Sequence, residues 1–148
     1  MGDVREMHAL LQHFAGKGLL LARSISSLYD QLRDFVVYDD NGIHGVCALH
    51  ICWEDLAEIR SLAVSEDTQG TGVGEALVQA CLLEARRLDI GRVFTLTYQG
   101  PFFQKLNFKE IDLSRLSNYP DFLVDYHYCN KSLGGKFWVY AKTGGVLD

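Results

Sequence analysis

Glu58-Ile59-Arg60-Ser61-Leu62-Ala63-Val64, then four residues, then Gln69-Gly70-Thr71-Gly72-Val73-Gly74: the rest of the chain is organised around this stretch. The first run carries Ile59, Leu62 and Val64 and reads as a strand within Ala57 to Ser65. The second is a glycine-dense loop, and a helix from about Glu75 to Leu88 follows it directly. Leu77, Cys81 and Leu88 are expected on one face of that helix, with Arg86 and Arg87 at the negative pole of its dipole. At a strand-loop-helix junction the backbone amides converge, and the helix dipole adds partial positive charge, so an anion such as pyrophosphate is the ligand suggested. The competing reading is a glycine turn that only caps a helix. No Gly-Lys-Ser/Thr follows, which excludes a Walker A loop, and the dinucleotide spacing G-x-G-x-x-G fails at Glu75 to Val78.

Upstream, Phe35-Val36-Val37-Tyr38, the turn Asp39-Asp40-Asn41-Gly42 and the run Ile43 to Trp53 predict a β-hairpin. Asp3 and Glu6 have capping-box spacing ahead of Met7, Leu10, Leu11 and Phe14, which predicts a first helix ending at Gly16 and Gly18. Ser24 predicts the cap of a short second helix with Ile25, Leu28 and Leu32 inward, closing near Arg33. Downstream come a strand over Arg92 to Thr97, a short helix over Phe102 to Leu106, and strands at Phe108 to Ile111 and Lys136 to Ala141. Asp112 to Gly135 shows no clear period.

The chain has 148 residues, 48% hydrophobic and 22% charged, with no repeat or linker, so one domain spanning 1–148 is expected. A formal charge of -5 sets net repulsion against DNA or RNA, which removes general nucleic-acid binding and leaves room only for a local anion site. Cys47, Cys52, Cys81 and Cys129 form no C-x-x-C pair and no zinc-ligand spacing, so they are read as reduced thiols, mostly in the core. No signal peptide and no apolar run of membrane length is visible, which predicts a cytoplasmic protein without a membrane span.

The Gln69, Gly72 and Gly74 pattern after the Glu58 to Val64 strand resembles motif A of the GNAT acetyltransferases, Gln/Arg-x-x-Gly-x-Gly/Ala. The element order agrees over nearly the whole chain, with Phe102-Phe103-Gln104-Lys105-Leu106-Asn107-Phe108 where the family has a helix ending Leu-Gly-Phe. Gly18-Leu19-Leu20-Leu21-Ala22-Arg23-Ser24, Ala57 to Val64, and Leu96-Thr97-Tyr98 with Phe102-Phe103 are similar to the acetyltransferase domain of bacterial N-acetylglutamate synthases in their short, stand-alone form. The resemblance implies an α/β (α+β) GNAT fold, a mixed, mostly antiparallel sheet splayed at its centre and flanked by helices, with acetyl-CoA in the splay. It also implies acetyl transfer to the α-amine of glutamate, the first step of arginine biosynthesis, with no metal. At this length it implies a catalytic domain alone. Family members usually begin with a short strand, whereas here Met1-Gly2 leads almost at once into a helix pattern; an open sheet edge is expected, for which a homodimer or an altered sheet would compensate.

Direct aminolysis of a thioester needs a base for the ammonium, a group facing the carbonyl oxygen and a tolerated thiolate. The resemblance gives the base to Glu58, the pantetheine and oxyanion contacts to backbone groups of Leu62, Ala63 and Val64, and the pyrophosphate to amides of Gly70, Thr71, Gly72, Val73 and Gly74 beside Gln69. A surface carboxylate paired with Arg60 is the alternative for Glu58. Many family members have a tyrosine at Phe103, and the long synthases have a serine near Gln99 and Gly100; both are lacking here, leaving Tyr98 as the nearest hydroxyl for an acid or as a packing residue with a wet tip. A thiolate leaves with a pKa of roughly 8.5, so turnover without a dedicated acid is chemically reasonable.

Arg23, in the loop between the helices, is the residue the resemblance places on the amino acid, and a guanidinium suits a carboxylate. Arg60 either does the same or partners Glu58. Lys131-Ser132 loosely matches a substrate motif of the long synthases, with Asn130 where arginine is expected. Tyr119, Tyr126, Tyr128 and Trp138 either wall an acceptor pocket or fill core, and Arg92 and Lys105 either reach a CoA phosphate or stay solvated. Two alternatives to the synthase are another amino acid or small amine as acceptor, and a CoA-binding module without turnover.

Overall fold

A computed structural model describes residues 2–20, 22–112 and 136–141. Hydrogen-bonded strands follow the order β1-β2-β3-β4-β6-β5, with β1 at Phe35–Asp39, β2 at Ile43–Trp53, β3 at Leu56–Val64, β4 at Arg92–Thr97, β5 at Lys109–Ile111 and β6 at Lys136–Ala141. The β1–β2, β4–β6 and β5–β6 pairs are antiparallel. The connection from β3 to β4 runs through a helix. Four helices accompany the described strands: α1 (Asp3–Gly16), α2 (Ile25–Asp30), α3 (Val73–Arg87) and α4 (Gly100–Gln104).

Two compact units divide the chain, the first made of Met1–His50 and Ile59–Glu84, the second of Ile51–Glu58 and Ala85–Asp148. In the first, both faces of β2 are covered. Val46 joins Val4, Met7, Leu11 and Phe14 of α1, Leu28 of α2 and Ala63 of β3 in one apolar cluster. Gly45 lies against α3, where an added Cβ would stand 2.9 Å from Leu77 Cδ1 and 3.2 Å from Val73 Cγ1. Cys47 meets Cys81 of α3 with their sulfurs 3.7 Å apart. A strand buried on both sides reads as an unbroken apolar run instead of an alternating one, which is how Gly45 to Leu49 reads; beyond His50 the strand alternates, with Ile51 and Trp53 exposed.

In the second unit Leu56, Phe94 and Val139 form the apolar centre. Around it Phe103 meets Phe108 edge-on with ring centroids 5.1 Å apart. Gly100 sits under Trp138: a Cβ there would lie 2.5 Å from the indole Cζ2.

Three helices end alike. After α1 the amide of Leu19 donates to Phe14 O and that of Gly18 to Ala15 O, with Gly18 at φ +74. After α3 Ile90 donates to Ala85 O and Asp89, at φ +57, to Arg86 O. After α4 Phe108 donates to Phe103 O and Asn107, at φ +68, to Gln104 O. This is the Schellman arrangement, with a left-handed residue just past the helix and an apolar residue after it. Asn107 thus takes the place of the glycine in Leu-Gly-Phe, because asparagine tolerates that conformation.

The elements fall where the patterns predict them, including the Ser24 cap, whose Oγ accepts from Ser27 N–H at 3.1 Å. Two expectations are corrected. No capping box starts α1: Gly2 is the N-cap with no side-chain bond, and Glu6 Oε1 instead accepts from the amide of Ile43 at 3.4 Å. Asp3 is already helical and so cannot take the extended cap conformation. Leu88 does not share the buried face of Leu77 and Cys81; it is 47% exposed, because α3 has ended at Arg87 and Leu88 lies in the closing turn.

Candidate active site

The site residues are carried mainly by β3. Leu56, Ala57, Glu58 and Ile59 are buried, Arg60, Ser61 and Leu62 half-buried, Ala63 buried and Val64 half-buried, a sequence that does not alternate. Ser61 stands out within it. Its φ is +55, in the middle of a strand, while among the described residues the other non-glycine residues with positive φ are Asn41, Asp89 and Asn107, all at turns. A left-handed residue inside a strand kinks the ladder and re-aims the side chains and peptide groups that follow, here Leu62, Ala63 and Val64. The conformation costs about 1–2 kcal/mol for an L-residue with a Cβ.

Glu58 is 3% exposed, so it is not a surface carboxylate. A buried carboxylate is tolerated only with compensation, and such groups concentrate where chemistry is done. It belongs to the part of β3 within the second unit.

The glycine loop lies in the first unit and is built by its own side chains. The amides of Thr68 and Gln69 both donate to Ser65 O, at 2.9 and 3.1 Å. Thr71 Oγ1 donates to Thr68 O at 2.5 Å, and Gln69 Nε2 donates to Val64 O at 2.9 Å. The motif glutamine therefore ties the loop to the end of its strand. Gly70 and Gly72 adopt φ +81 and +89, and an added Cβ at either would meet nothing within 4 Å. Conformation demands glycine there, and the space beyond is open to a ligand. In α3 Ala76 N–H donates to Gly72 O at 3.0 Å, so the amides of Val73, Gly74 and Glu75 precede the first intrahelical bond. Glu66, just before the loop, would oppose an anion, but Lys17 bonds its carboxylate and His13 lies 3.2 Å away, and these two hold its carboxyl below the usual range.

Arg23 is half-buried in the first unit. Its Nη1 donates to Ser61 Oγ at 2.9 Å, its Nη2 donates to Gln31 Oε1, and its Cζ lies 5.3 Å from the centre of the Phe35 ring. The structure thus brings Arg23 to β3 at its kink. Neither Gln31 nor Phe35 stands out in the sequence as a partner, and a serine does not announce a positive φ as glycine or asparagine does.

Tyr98, one residue past β4, is 44% exposed, while Phe103 is 2% exposed among aromatic rings. Arg92 N–H donates to Asp55 O at 3.2 Å, and Lys105 is exposed. Lys131, Ser132, Asn130, Tyr119, Tyr126 and Tyr128 lie outside the described residues. Among the described residues no group of three His, Cys, Asp or Glu could hold a metal, and no helix is long and apolar enough to cross a membrane.

Residues 31–110 match the family model described as acetyltransferase (GNAT) domain. An amino-acid acetyltransferase of Mycobacterium tuberculosis is 38% identical over 114 residues, 74% of this chain and 65% of that protein. A Mycobacterium tuberculosis protein solved in complex with CoA and NLQ superposes with a TM-score of 0.82 at 30% identity, covering 95% of each chain. N-acetylglutamate synthase from Neisseria gonorrhoeae, complexed with coenzyme A and N-acetyl-glutamate, gives a TM-score of 0.83 at 27% identity over 95% of this chain and 33% of that one. The match to the mycobacterial amino-acid acetyltransferase thus spans just under two thirds of that relative's length.

Proposed function

The chain belongs to the GNAT acetyltransferase family, and from that premise we propose that it moves an acetyl group from acetyl-CoA to the α-amine of L-glutamate. One observation carries the reading: β3 and the loop after it join, in continuous sequence, a buried carboxylate at Glu58, a kinked peptide run at Leu62 to Val64 and an open cradle at Gly70 and Gly72. Names and ligands of the similar proteins support glutamate as the acceptor.

The cradle suits acetyl-CoA as co-substrate. Amides of Gly70, Thr71, Gly72, Val73 and Gly74 take the pyrophosphate, with Gln69 fixing the loop for them. Peptide groups of Leu62 and Ala63 serve the pantetheine arm, and one amide of that run faces the oxygen of the thioester carbonyl as it gains charge. Val64 offers its amide in the same way, its carbonyl being engaged by Gln69. Glu58 accepts a proton from the acceptor's ammonium, directly or through a water. The amine nitrogen then attacks the carbonyl carbon, the C–N bond forms, the nitrogen gives up its second proton to solvent, the C–S bond breaks, and CoA departs as thiolate to be protonated by solvent or by Tyr98, which is 44% exposed. Arg23 binds an acceptor carboxylate, and Arg60, Lys131 and Ser132 complete the acceptor's surroundings.

In this reading residues 1–148 work as one catalytic domain in the cytoplasm, as a monomer or as a homodimer over an open sheet edge, in the arginine-forming route. A different amino acid as acceptor is the second reading, favoured by Asn130 where the synthases have arginine.

The test is thiol release from acetyl-CoA with each of twenty amino acids, for the wild type and Glu58→Gln. Glutamate should give the highest kcat/KM, and the variant should lose ~10²–10⁴-fold in kcat with little change in KM for acetyl-CoA. Turnover with polyamines alone would overturn the acceptor. Unchanged kcat in Glu58→Gln would remove the base.

A further inference from the structure

The glycine loop grows out of Ser65, and that root is tied to β2 twice. Ser65 N–H donates to His44 O at 2.8 Å, and Ser65 Oγ lies 3.4 Å from Nδ1 of the same histidine. From Ser65 the loop proceeds by hydroxyls three residues apart. Ser65 Oγ donates to Thr68 Oγ1 at 3.0 Å, and Thr71 Oγ1 donates to the carbonyl of Thr68 at 2.5 Å. Thr68 therefore stands between the strand end and the glycines, its amide held by Ser65 O, its hydroxyl by Ser65 Oγ and its carbonyl by Thr71. All of these residues belong to the first unit.

The protons in this chain are countable. The Asp40 carbonyl oxygen only accepts, so His44 Nε2, 3.0 Å away, carries a proton. Both hydroxyl protons turn towards the loop: that of Ser65 to Thr68 Oγ1 and the Asp67 carboxyl, that of Thr68 to Asp67 Oδ1 at 3.4 Å. None is left for Nδ1, and a bare nitrogen there would face a hydroxyl lone pair. With a proton on Nδ1 as well, the ring donates to Ser65, and every donor runs one way, from His44 through Ser65 and Thr68 to Asp67. The ends of the chain then carry opposite charges. The Asp67 carboxyl sits below the usual carboxylate range, through its bond with Ser65 first, with its own amide, the attraction of His44 and the bond with Thr68 adding to it.

We propose that His44 in its imidazolium form, Ser65 and Thr68 are positioning residues for acetyl-CoA, a one-way hydrogen-bond relay from β2 that sets Thr71, Gly70 and Gly72 for the coenzyme's phosphates. The proposal rests on the reading of Gly70 to Gly74 as the pyrophosphate cradle. The three residues act on the coenzyme through the loop and do not touch it. The titratable groups around the ring come from three elements. Its own turn supplies Asp40 and Asp39, whose Oδ1 accepts from Gly42 N–H at 3.1 Å. The loop supplies Asp67, and α1 supplies Glu6: a Cβ on Gly42 would lie 3.4 Å from Glu6 Oε1 and 3.9 Å from His44 Nε2. Lys17 and His13 of α1 are turned to Glu66. The groups about the ring are acids, which complement a cation.

The test is calorimetric binding of CoA, which needs neither acceptor nor turnover, to wild type, His44→Ala, His44→Asn, Ser65→Ala, Thr68→Val and Gly72→Ala. His44→Ala, Ser65→Ala and Thr68→Val should each raise Kd about three- to tenfold, as expected when a hydrogen bond is lost. The Ser65→Ala, Thr68→Val double variant should lose no more than the worse single one, because either breaks the same chain. In His44→Asn the amide nitrogen takes the place of Nδ1 as a permanent donor, so binding should be recovered relative to His44→Ala. Between about pH 5.5 and 8, where imidazole changes charge, the ratio of Kd in wild type to Kd in His44→Asn should rise severalfold. Taking the ratio cancels titration of the phosphates of CoA. Additive losses in the double variant, no recovery in His44→Asn, or a flat ratio would overturn the relay.

A second readout does not depend on the coenzyme. Titration of the His44 ring followed by ¹H–¹⁵N NMR should move to lower pH in Ser65→Ala and in Asp67→Asn, as for a cation that loses its acceptor or the charge at the far end of the chain. An unmoved midpoint in both variants would overturn the relay whatever the loop binds. Gly72→Ala reports on the cradle itself. Unchanged CoA binding in that variant would overturn the loop as the phosphate site, while the NMR titration still decides whether His44 holds it.

Discussion

Cys47 has the least access to solvent a thiol can have, 0% exposed, with Cys81 3.7 Å away across the contact of β2 with α3. The contact with Cys81 and burial push the Cys47 thiol well above its usual range. An acid group whose folded pKa is raised contributes stability that is full below its unfolded pKa, about 8.5 for cysteine, and is lost as pH rises beyond it. The denaturation midpoint should therefore fall between pH 7.5 and about 9.5 in the wild type, and fall less in Cys47→Val, which keeps an apolar side chain of similar size. Parallel declines in the two proteins would show that other groups dominate. Under native conditions near neutral pH, peptide mapping after alkylation should find Cys52, half-buried, labelled ahead of Cys47 and Cys81. The Cys47–Cys81 contact was not legible in the sequence beyond the expectation of core thiols, because residues 34 apart meet only through the packing of a helix on a sheet.

At the scale of elements, left-handed residues punctuate the chain, and their identity decides what a substitution does. Gly72 stands at φ +89 with open space around it, so alanine there meets no clash and suffers only the conformational penalty, about 1–2 kcal/mol. The loop should answer by shifting. Gly72→Ala should raise KM for acetyl-CoA well before it lowers the melting temperature, whereas Gly16→Ala, equally open but without a positive φ, should do neither. Equal kinetics for the two variants would dissociate the loop from the co-substrate. Asn107 provides a complementary case. It closes α4 at φ +68, so Asn107→Gly should be neutral or stabilising and Asn107→Ala should cost about 1 kcal/mol, a fall of ~2–4 °C in melting temperature for a chain of this size. An unchanged melting temperature in Asn107→Ala would refute the cap. Helices and strands were readable because apolar period and turn residues are local signals. The kink at Ser61 was not: serine carries no mark of a positive φ, and its partner Arg23 lies 38 residues away. The capping box at Asp3 failed for a related reason, since Glu6 was claimed by the amide of Ile43, a tertiary contact that no local spacing announces.

For the molecule as a whole, charge and site pull in opposite directions. The chain carries a formal charge of -5, and CoA is strongly anionic, so the long-range field opposes encounter. In the proposed reading the cradle answers with backbone amides and a helix dipole, which act at contact distance, instead of a cluster of lysines and arginines. Glu66, which precedes the loop, is already engaged by Lys17 and His13. Added salt shortens the Debye length from about 10 Å at 0.1 M to about 3 Å at 1 M, which screens the repulsion over the molecule much more than it weakens close amide contacts. KM for acetyl-CoA should therefore stay level or fall as potassium chloride is raised from 0.05 to about 0.5 M, whereas a site built from basic side chains would show KM climbing with salt. With Arg23 on the acceptor as proposed, the acceptor should behave in the opposite sense, its KM rising over the same range. A steep rise in KM for acetyl-CoA would mean that basic side chains, and not the glycine loop, hold the co-substrate's phosphates.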